Sequence, residues 1–189
     1  MLILVLASGS PRRMELLEAM GVPFLAVKAD VDENESGPPS DVVVRLAEKK
    51  ARAALALYPD QPILGSDTLV HADGETFGKP RDEQDAFRML RALSGTHHEV
   101  HSGVCLLHEG RCHLKHVCTT VYFVELTDDD IWQYIRSEEP FGKAGAYAVQ
   151  GMGGMFVSRI EGSPSNVIGL PMHIVRSLLM EHGLWKTRG

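Results

Sequence analysis

The chain has 189 residues with a formal net charge of −6, and 44% of its residues are hydrophobic and 23% charged. These values are typical of a globular protein and exclude a disordered polyelectrolyte, a coiled-coil fibre and collagen. Duplex nucleic acid attracts proteins with a surplus of Lys and Arg, so the acidic balance argues against a nucleic-acid partner. A small polyanion held in a local basic pocket remains compatible with it.

Length and cysteine content predict one cytoplasmic domain over residues 1–189. Three cysteines, Cys105, Cys112 and Cys118, are too few for a disulfide framework and indicate a reduced protein. The apolar run Leu2–Ala7 is too short for a signal peptide and lacks a positive flank. No stretch approaches the roughly 20 apolar residues of a membrane span, so we expect no membrane contact.

The first half of the chain predicts alternating strands and helices. The run Leu2–Ala7 is typical of a strand buried on both faces. Ser10-Pro11 then begins a helix, with Ser10 as the N-cap, and Gly21 ends it. The next predicted elements are a helix capped by Ser40, a strand at Pro62–Val70, a turn at Asp73-Gly74 and a helix at Asp82–Ser94.

The second half predicts a long β-hairpin followed by further helices. Its strands, His97–His108 and Arg111–Glu125, flank the turn Glu109-Gly110. A hairpin inside an alternating pattern indicates a mixed sheet, so the fold class is α/β: a mixed twisted β-sheet flanked by helices. Later predictions are a helix from Thr127 that stops before Pro140, a glycine-rich stretch at 142–154, a strand near 155–160 and a helix near 170–182.

Two arginines begin the first predicted helix. Arg12 and Arg13 lie in its first turn, where a cation costs about 0.3–1 kcal/mol against the helix dipole, so stability alone favours Asp or Glu there. Guanidinium groups beside the N–H groups of a helix start suit a phosphate. The alternative is two solvated arginines on a surface helix.

Three further polar residues are candidates for chemistry. Asp67 lies where an apolar strand runs into polar residues, a position where carboxylates bind Mg²⁺ or activate water, although a turn or cap residue is the alternative. Lys79 lies in Gly-Lys-Pro, which lacks the spacing of a P-loop, and is either a phosphate contact or a solvated lysine. Gln150 lies in the glycine-rich stretch and is either a base-binding amide or an incidental loop residue.

The cysteines and histidines between residues 105 and 118 raise the question of a zinc site. Cys112 and Cys118 lie on one predicted strand, about 20 Å apart at about 3.3 Å per residue, so they cannot share one tetrahedral ion. We interpret this group as packing and surface residues.

A series of short motifs runs in order along almost the whole chain. It comprises Leu-Ala-Ser-Gly-Ser-Pro-Arg-Arg (6–13), Asp32-Glu33, Leu46–Ala51, Leu-Gly-Ser-Asp-Thr (64–68), Gly78–Pro80, Leu-Ser-Gly (93–95), His98, Glu139-Pro140, Lys143–Tyr147, Gln150–Gly153, Phe156-Val157 and Asn166–Pro171. Each motif is weak alone, but the series resembles the Maf family of nucleoside triphosphate pyrophosphatases. Small departures are Ser102, where the family often has Thr, and Pro164, where an aromatic residue is common.

The resemblance implies a Maf- or ITPase-like fold with a central ligand cleft, acting on a nucleoside triphosphate. The reaction would be hydrolysis between the α and β phosphates, giving a monophosphate and pyrophosphate, with a divalent cation (Mg²⁺ or Mn²⁺). A cytoplasmic homodimer is also implied. By the family's pattern Asp67 is the proton acceptor, Arg12, Thr68 and Gln150 set substrate choice, Arg13, Lys50 and Lys79 match the remaining basic positions, and Glu33 matches the acidic one. We expect Glu33 and Asp67 to hold the metal.

Gln150, within Ala-Tyr-Ala-Val-Gln-Gly, resembles the subgroup that acts on dTTP and UTP, with clearance of modified pyrimidine nucleotides as a candidate role. One alternative is the sister subgroup, which prefers a methylated guanosine triphosphate. Another is a non-catalytic nucleotide-binding regulator of cell division, which would need the basic residues but not Glu33 and Asp67.

Overall fold

The computed structural model describes residues 2–185. Its strands are β1 (Leu4–Ala7), β2 (Phe24–Val27), β3 (Ile63–Ala72), β4 (Glu75–Phe77), β5 (His97–His108), β6 (Arg111–Phe123) and β7 (Val157–Glu161). Its α-helices are α1 (Pro11–Ala19), α2 (Pro39–Leu57), α3 (Glu83–Leu93), α4 (Asp128–Ile135), α5 (Pro164–Ile168) and α6 (Met172–Glu181). Two short 3₁₀ segments lie at Ala144–Ala146 and Met152–Phe156.

The strands form one mixed sheet in the order β2-β1-β3-β5-β6-β7. The short strand β4 pairs with β3 and is not part of this order. Parallel and antiparallel pairs both occur, because helices connect the first three strands whereas a two-residue turn connects β5 to β6. The α/β prediction with a mixed sheet and flanking helices is therefore confirmed. A single domain over residues 1–189 stays a prediction, since the chain separates into two compact units.

The first unit takes in residues 2–67, 102–117 and 169–185 of the described chain. Its β1 strand is completely buried and lies parallel to both β2 and β3, with Ala7 opposite Val27 on one side and Gly65 on the other. Apolar side chains on both faces explain the continuous hydrophobic run that the sequence shows at β1. Helix α2 covers this part of the sheet with an alanine-rich face.

Two glycines set how closely α2 approaches the sheet. A Cβ atom built on Gly65 would lie 2.2 Å from the carbonyl oxygen of Ala47, and one built on Gly103 would lie 2.1 Å from that of Val43. Neither distance is sterically possible, so the helix backbone rests directly on the strands at these positions. Glycine inside a strand is typical of such a close approach.

The second unit takes in residues 68–101 and 118–168. Its β4 pairs antiparallel with the end of β3, and its β7 pairs antiparallel with β6. Helices α3 and α4 pack in a core that contains the aromatic side chains Phe77, Phe123, Tyr134, Tyr147 and Phe156. Among residues 2–185, no helix combines the length and the apolar character that crossing a membrane requires.

Most predicted elements are found, with four differences. The short strands β2 and β4 and the helix α5 were not predicted, because each has five residues or fewer and carries little periodicity. The prediction of Ser40 as a helix cap was wrong: α2 begins at Pro39 and has Pro38 as its N-cap. Asp82 and Thr127 do cap their helices, each accepting a hydrogen bond from the backbone N–H three residues later.

Candidate active site

The candidate site of the first unit lies where β1 ends and the neighbouring strand β3 changes from apolar to polar residues. Strand β1 ends at Ala7 opposite Gly65 of β3, so Ser8 and Asp67 follow at neighbouring positions. Ligands of α/β proteins bind outside the carboxyl ends of such strands. Helix α1 begins three residues after Ser8, which brings the N–H groups of its first turn to the same edge.

Arg13 is held in place at the start of α1. It is buried, and its Nε donates to the Gly169 carbonyl at 2.8 Å while Nη1 donates to Ser8 Oγ at 3.2 Å. Burial lowers the pKa of Arg13, and the charges of Asp67 and Glu33 act in the opposite direction. The alternative of a solvated arginine is therefore wrong for Arg13. Arg12, beside it, is half-buried.

Lys50 pairs with both carboxylates that the Maf resemblance implies as metal ligands, Glu33 and Asp67. Lys50 Nζ lies 2.6 Å from Asp67 Oδ1 and 2.8 Å from Glu33 Oε1. The side chains of Lys50 and Asp67 are 10% and 12% exposed, whereas that of Glu33 is 57% exposed. The arrangement is a buried ion pair with a second carboxylate at its solvent side.

Close packing of α2 on β3 explains why Lys50 reaches Asp67. Gly65 and Asp67 point to the same face of β3 because side chains alternate along a strand. Gly65 leaves room for the backbone of Ala47 and Ala51, and Lys50 precedes Ala51 on that helix. A larger residue at position 65 would move the helix and its lysine away from the carboxylate.

The loop that carries Glu33 is fastened to α2 by two other cations. Arg45 Nε lies 3.0 Å from one carboxylate oxygen of Glu35, and Lys49 Nζ lies 2.8 Å from the other. Lys49 also donates to the Asp32 carbonyl at 3.0 Å. The hydrogen bonds from Lys49 and Arg45 lower the pKa of Glu35. These contacts fix the position of Glu33 even though its own side chain is exposed.

The donor set around Lys50 fits a hard divalent cation. Both carboxylate oxygens face the position of one ammonium group, so the protein already directs two negative ligands at one positive charge. Carboxylate oxygens are the protein ligands that Mg²⁺ and Mn²⁺ prefer. The exposed side of Glu33 leaves room for water ligands, which Mg²⁺ usually retains.

In the second unit, the half-buried carboxylate of Glu139 orders the loop that carries Gln150. Glu139 accepts hydrogen bonds from the backbone N–H groups of Met152 and Gly153, each at 3.0 Å, and from the hydroxyl of Tyr134 at 2.7 Å. Burial alone would raise the pKa of Glu139, but these hydrogen bonds outweigh it and lower the pKa. The loop is thus held on the C-terminal side of Gln150, whose own side chain is exposed.

Tyr134 holds the other side of the same loop. Its hydroxyl accepts a hydrogen bond from the Ala148 N–H at 3.1 Å. Gly153 packs against it, since a Cβ atom there would lie 2.7 Å from the Tyr134 oxygen. Tyr134 and Glu139 together therefore fix the backbone on both sides of Gln150.

Two motifs that are far apart in the sequence meet in the second unit. The Gly145 N–H donates to the Gly78 carbonyl at 3.1 Å, which places the Gly78–Pro80 segment beside the start of the glycine-rich stretch. Lys79 is exposed there, and Thr68 is half-buried on β3. The nearby His98 is buried, with Nε2 2.8 Å from the Tyr147 hydroxyl.

The structure brings four predicted site residues into one charged group: Arg13, Glu33, Lys50 and Asp67. The resemblance gives Lys50 only as one of the family's basic positions and does not indicate that it pairs with both expected metal ligands. The sequence indicates no structural role for Tyr134, and Glu139 belongs only to the Glu139-Pro140 motif. The signal for Glu139 was present, since an acidic residue beside a glycine-rich stretch is a natural acceptor for its N–H groups.

Comparison with known proteins gives one consistent result. A family model described as Maf-like protein matches residues 3–182. The chain is 47% identical to a dTTP/UTP pyrophosphatase of Chromobacterium violaceum, over 94% of this chain and 93% of that protein. It is 49% identical to a dTTP/UTP pyrophosphatase of Shewanella oneidensis, over 96% of this chain and 98% of that protein. A protein of the same description from Thermococcus gammatolerans is 46% identical, over 93% of this chain and 95% of that protein.

Proposed function

Because this chain belongs to the Maf family, we propose that it hydrolyses dTTP and UTP to the nucleoside monophosphate and pyrophosphate. Relatives at 46–49% identity, each covered over more than nine-tenths of its length, carry the description dTTP/UTP pyrophosphatase. The single observation on this chain that carries the proposal is the group formed by Arg13, Glu33, Lys50 and Asp67. It combines cations that bind phosphate with carboxylates that bind metal and accept a proton.

Asp67 is the general base of the proposed reaction. Its Oδ1 receives the Lys50 hydrogen bond, so we assign Oδ2 to the attacking water. Water adds to the α-phosphorus, its proton passes to Asp67, and the bond from that phosphorus to the bridging oxygen breaks. Pyrophosphate leaves with the bonding electron pair, and Asp67 returns the proton to solvent.

The cations stabilise the negative charge of substrate and leaving group. A nucleoside triphosphate carries about four negative charges, which Arg12, Arg13, Lys79 and a divalent cation balance without a basic protein overall. Most catalysis of phosphoryl transfer comes from such positioning and electrostatics. Glu33 and Asp67 would hold the divalent cation, which would neutralise charge on the phosphate oxygens when bound.

Gln150 selects the base, with Arg12 and Thr68 contributing to substrate choice. The side-chain amide offers one donor and one acceptor, which match the N3–H and a carbonyl of uracil or thymine. The ordered backbone around Gln150 supports this role, because a fixed amide discriminates better than a mobile one. We expect Gln150→Glu to weaken the preference for pyrimidines by about 1–3 kcal/mol, with the exposed Gln133→Glu as the control.

The protein acts in the cytoplasm as a homodimer under this proposal, and it removes modified pyrimidine nucleotides from the pool. The homodimer is tested by sedimentation of the purified chain. Turnover of pyrimidine triphosphates with modified bases, measured beside dTTP and UTP, tests the proposed cellular role.

The deciding experiment measures pyrophosphate release from a panel of ribo- and deoxynucleoside triphosphates and a methylated GTP, with Mg²⁺ and with EDTA. Metal-dependent turnover that favours dTTP and UTP is the expected result. A preference for methylated GTP would keep the reaction and overturn the substrate. Tight nucleotide binding without turnover would overturn the reaction and favour a regulator.

A substitution at Asp67 tests the mechanism. Asp67→Asn keeps the size of the side chain and removes its basicity, so we expect turnover to fall at least about a hundredfold. The matched control is Asp129→Asn, which changes an exposed aspartate at the start of α4. Hydrolysis in ¹⁸O-labelled water should place the label in the monophosphate; label in the pyrophosphate would contradict attack at the α-phosphorus.

A further inference from the structure

A histidine on β5 lies between a carboxylate and a thiol in the second unit. His101 Nε2 is 2.9 Å from Glu99 Oε2 and 3.8 Å from Cys118 Sγ. Glu99 and His101 are two residues apart on β5 and therefore point to the same face, while Cys118 lies on the neighbouring strand β6. One ligand atom of each residue lies within 4.8 Å of the other two.

The spacing of these three atoms suits one tetrahedral metal ion. Bond lengths of about 2.0–2.1 Å to nitrogen and about 2.3 Å to sulfur separate the two ligand atoms by about 3.6 Å at a tetrahedral angle. Oxygen and nitrogen ligands are about 3.4 Å apart in the same geometry. The observed 3.8 Å and 2.9 Å differ from these values by half an ångström or less.

Burial and exposure are distributed as such a site requires. The His101 side chain is 9% exposed and so has a fixed orientation, whereas Glu99 is 47% exposed and Cys118 is also accessible. Both contacts converge on the same ring nitrogen, Nε2. An ion bound there would take the place of a proton between the imidazole and the carboxylate, with solvent supplying the fourth ligand.

We infer that Glu99, His101 and Cys118 form a binding site for a borderline-soft divalent ion, of which Zn²⁺ is the representative. Thiolate and imidazole ligands select Zn²⁺ over Mg²⁺ and Ca²⁺, which prefer oxygen. The site is independent of the proposed hydrolysis, since none of its residues is among those assigned to substrate, base or catalytic metal. The distance between Cys112 and Cys118 along β6 does not exclude this site, because only Cys118 takes part in it and the other two ligands lie on β5.

The test is a titration of the full metal-free chain with Co²⁺, a spectroscopic substitute for Zn²⁺, in a phosphine reductant that keeps the thiols reduced. We expect one equivalent of Co²⁺ per chain to give the near-ultraviolet charge-transfer band of a cobalt–thiolate bond; Co²⁺ at the proposed Glu33–Asp67 site has no thiolate ligand and gives no such band. Zn²⁺ should remove this band, and excess Mg²⁺ should not. Absence of the band, or its loss on adding Mg²⁺, would overturn the proposal.

Variants identify the ligands. Cys118→Ser should abolish the charge-transfer band and weaken Zn²⁺ binding at least about tenfold in competition with a chromophoric chelator, and Glu99→Gln should weaken it by a similar factor. Cys112→Ser is the matched control, because it removes another exposed thiol of β6. Unchanged binding by Cys118→Ser, or loss of binding by Cys112→Ser with circular dichroism unaltered, would contradict the assignment.

Discussion

Lys50 Nζ lies 2.6 Å from Asp67 Oδ1, and the two side chains are 10% and 12% exposed, so they form a buried ion pair. Removing one partner of such a pair leaves an uncompensated buried charge. We therefore expect Lys50→Met to lower the free energy of unfolding by about 3–5 kcal/mol. Urea unfolding near neutral pH measures this change.

The neighbouring lysine provides the control for that prediction. Lys49 pairs with Glu35 from the same helix, but its side chain is 43% exposed. Lys49→Met should therefore destabilise the protein much less than Lys50→Met. Equal losses for the two variants would show that the Lys50–Asp67 pair is no more important to stability than a surface pair.

Gly65→Ala should be strongly destabilising. Its Cβ atom would lie 2.2 Å from the Ala47 carbonyl oxygen, so α2 has to move away from β3. We expect the free energy of unfolding to fall by about 1–3 kcal/mol or more. Gly78→Ala serves as the control, because nothing lies within 4 Å of a Cβ atom there and the backbone φ of Gly78 is not positive. A stable Gly65→Ala protein would mean that α2 can shift without penalty.

Glu139→Gln should loosen the loop around Gln150. The charged acceptor of two backbone N–H groups becomes a neutral amide, at a cost of about 1–3 kcal/mol. Amide hydrogen exchange at Met152 and Gly153 should accelerate, and the preference for pyrimidine triphosphates should weaken with it. Glu138→Gln changes the exposed neighbour and should alter neither quantity. Unchanged protection of the two amides would refute the role of Glu139.

His98 predicts how stability depends on pH. Burial lowers its pKa to about 4 from the usual 6.5, with a smaller contribution from His97. Between pH 4 and pH 6.5 the unfolded chain binds the His98 proton more readily than the folded chain. The contribution of His98 to the free energy of unfolding is therefore fully present above pH 6.5 and is lost as the pH falls towards 4. The gap in pKa corresponds to about 3 kcal/mol of folding free energy.

Variants separate His98 from the other titrating groups. His98→Gln removes the titration while keeping a polar atom near the Tyr147 hydroxyl, so the loss of stability between pH 6.5 and 4 should shrink. His97→Gln, at the exposed neighbour, should leave the profile as it is. An identical pH profile for His98→Gln and the unsubstituted chain would exclude His98 as the source.

Much of the fold was predictable from the sequence because its long elements carry strong local signals. The buried strand β1, the capped helices α3 and α4, and the turn Glu109-Gly110 between β5 and β6 are fixed by residues close in the sequence. Strand β2 is not predicted because its apolar run, Phe24–Val27, has only four half-exposed or exposed residues and shows no alternation. Its strand character comes from pairing with β1, a contact that is distant in sequence.

The candidate site was predictable as a set of residue types but not as a set of contacts. Arg13 follows β1, and Asp67 lies within β3 just beyond the point where β1 ends, so the sequence order of these elements brings both to the same side of the sheet. The pairing of Lys50 with both carboxylates depends on the close approach of α2 at Gly65, which requires knowing the helix position. The group of Glu99, His101 and Cys118 depends in the same way on which residues face one another across two strands.

The hydrogen bond from Arg13 to the Gly169 carbonyl joins residues 156 positions apart. A ribosome adding about 5–20 residues per second needs about 8–30 s to cover that interval. During this time the guanidinium exists on the nascent chain before its carbonyl acceptor has been made. The arginine environment of the candidate site is therefore completed late in synthesis, and a chain interrupted before Gly169 would contain Arg13 but not the carbonyl that holds it in place.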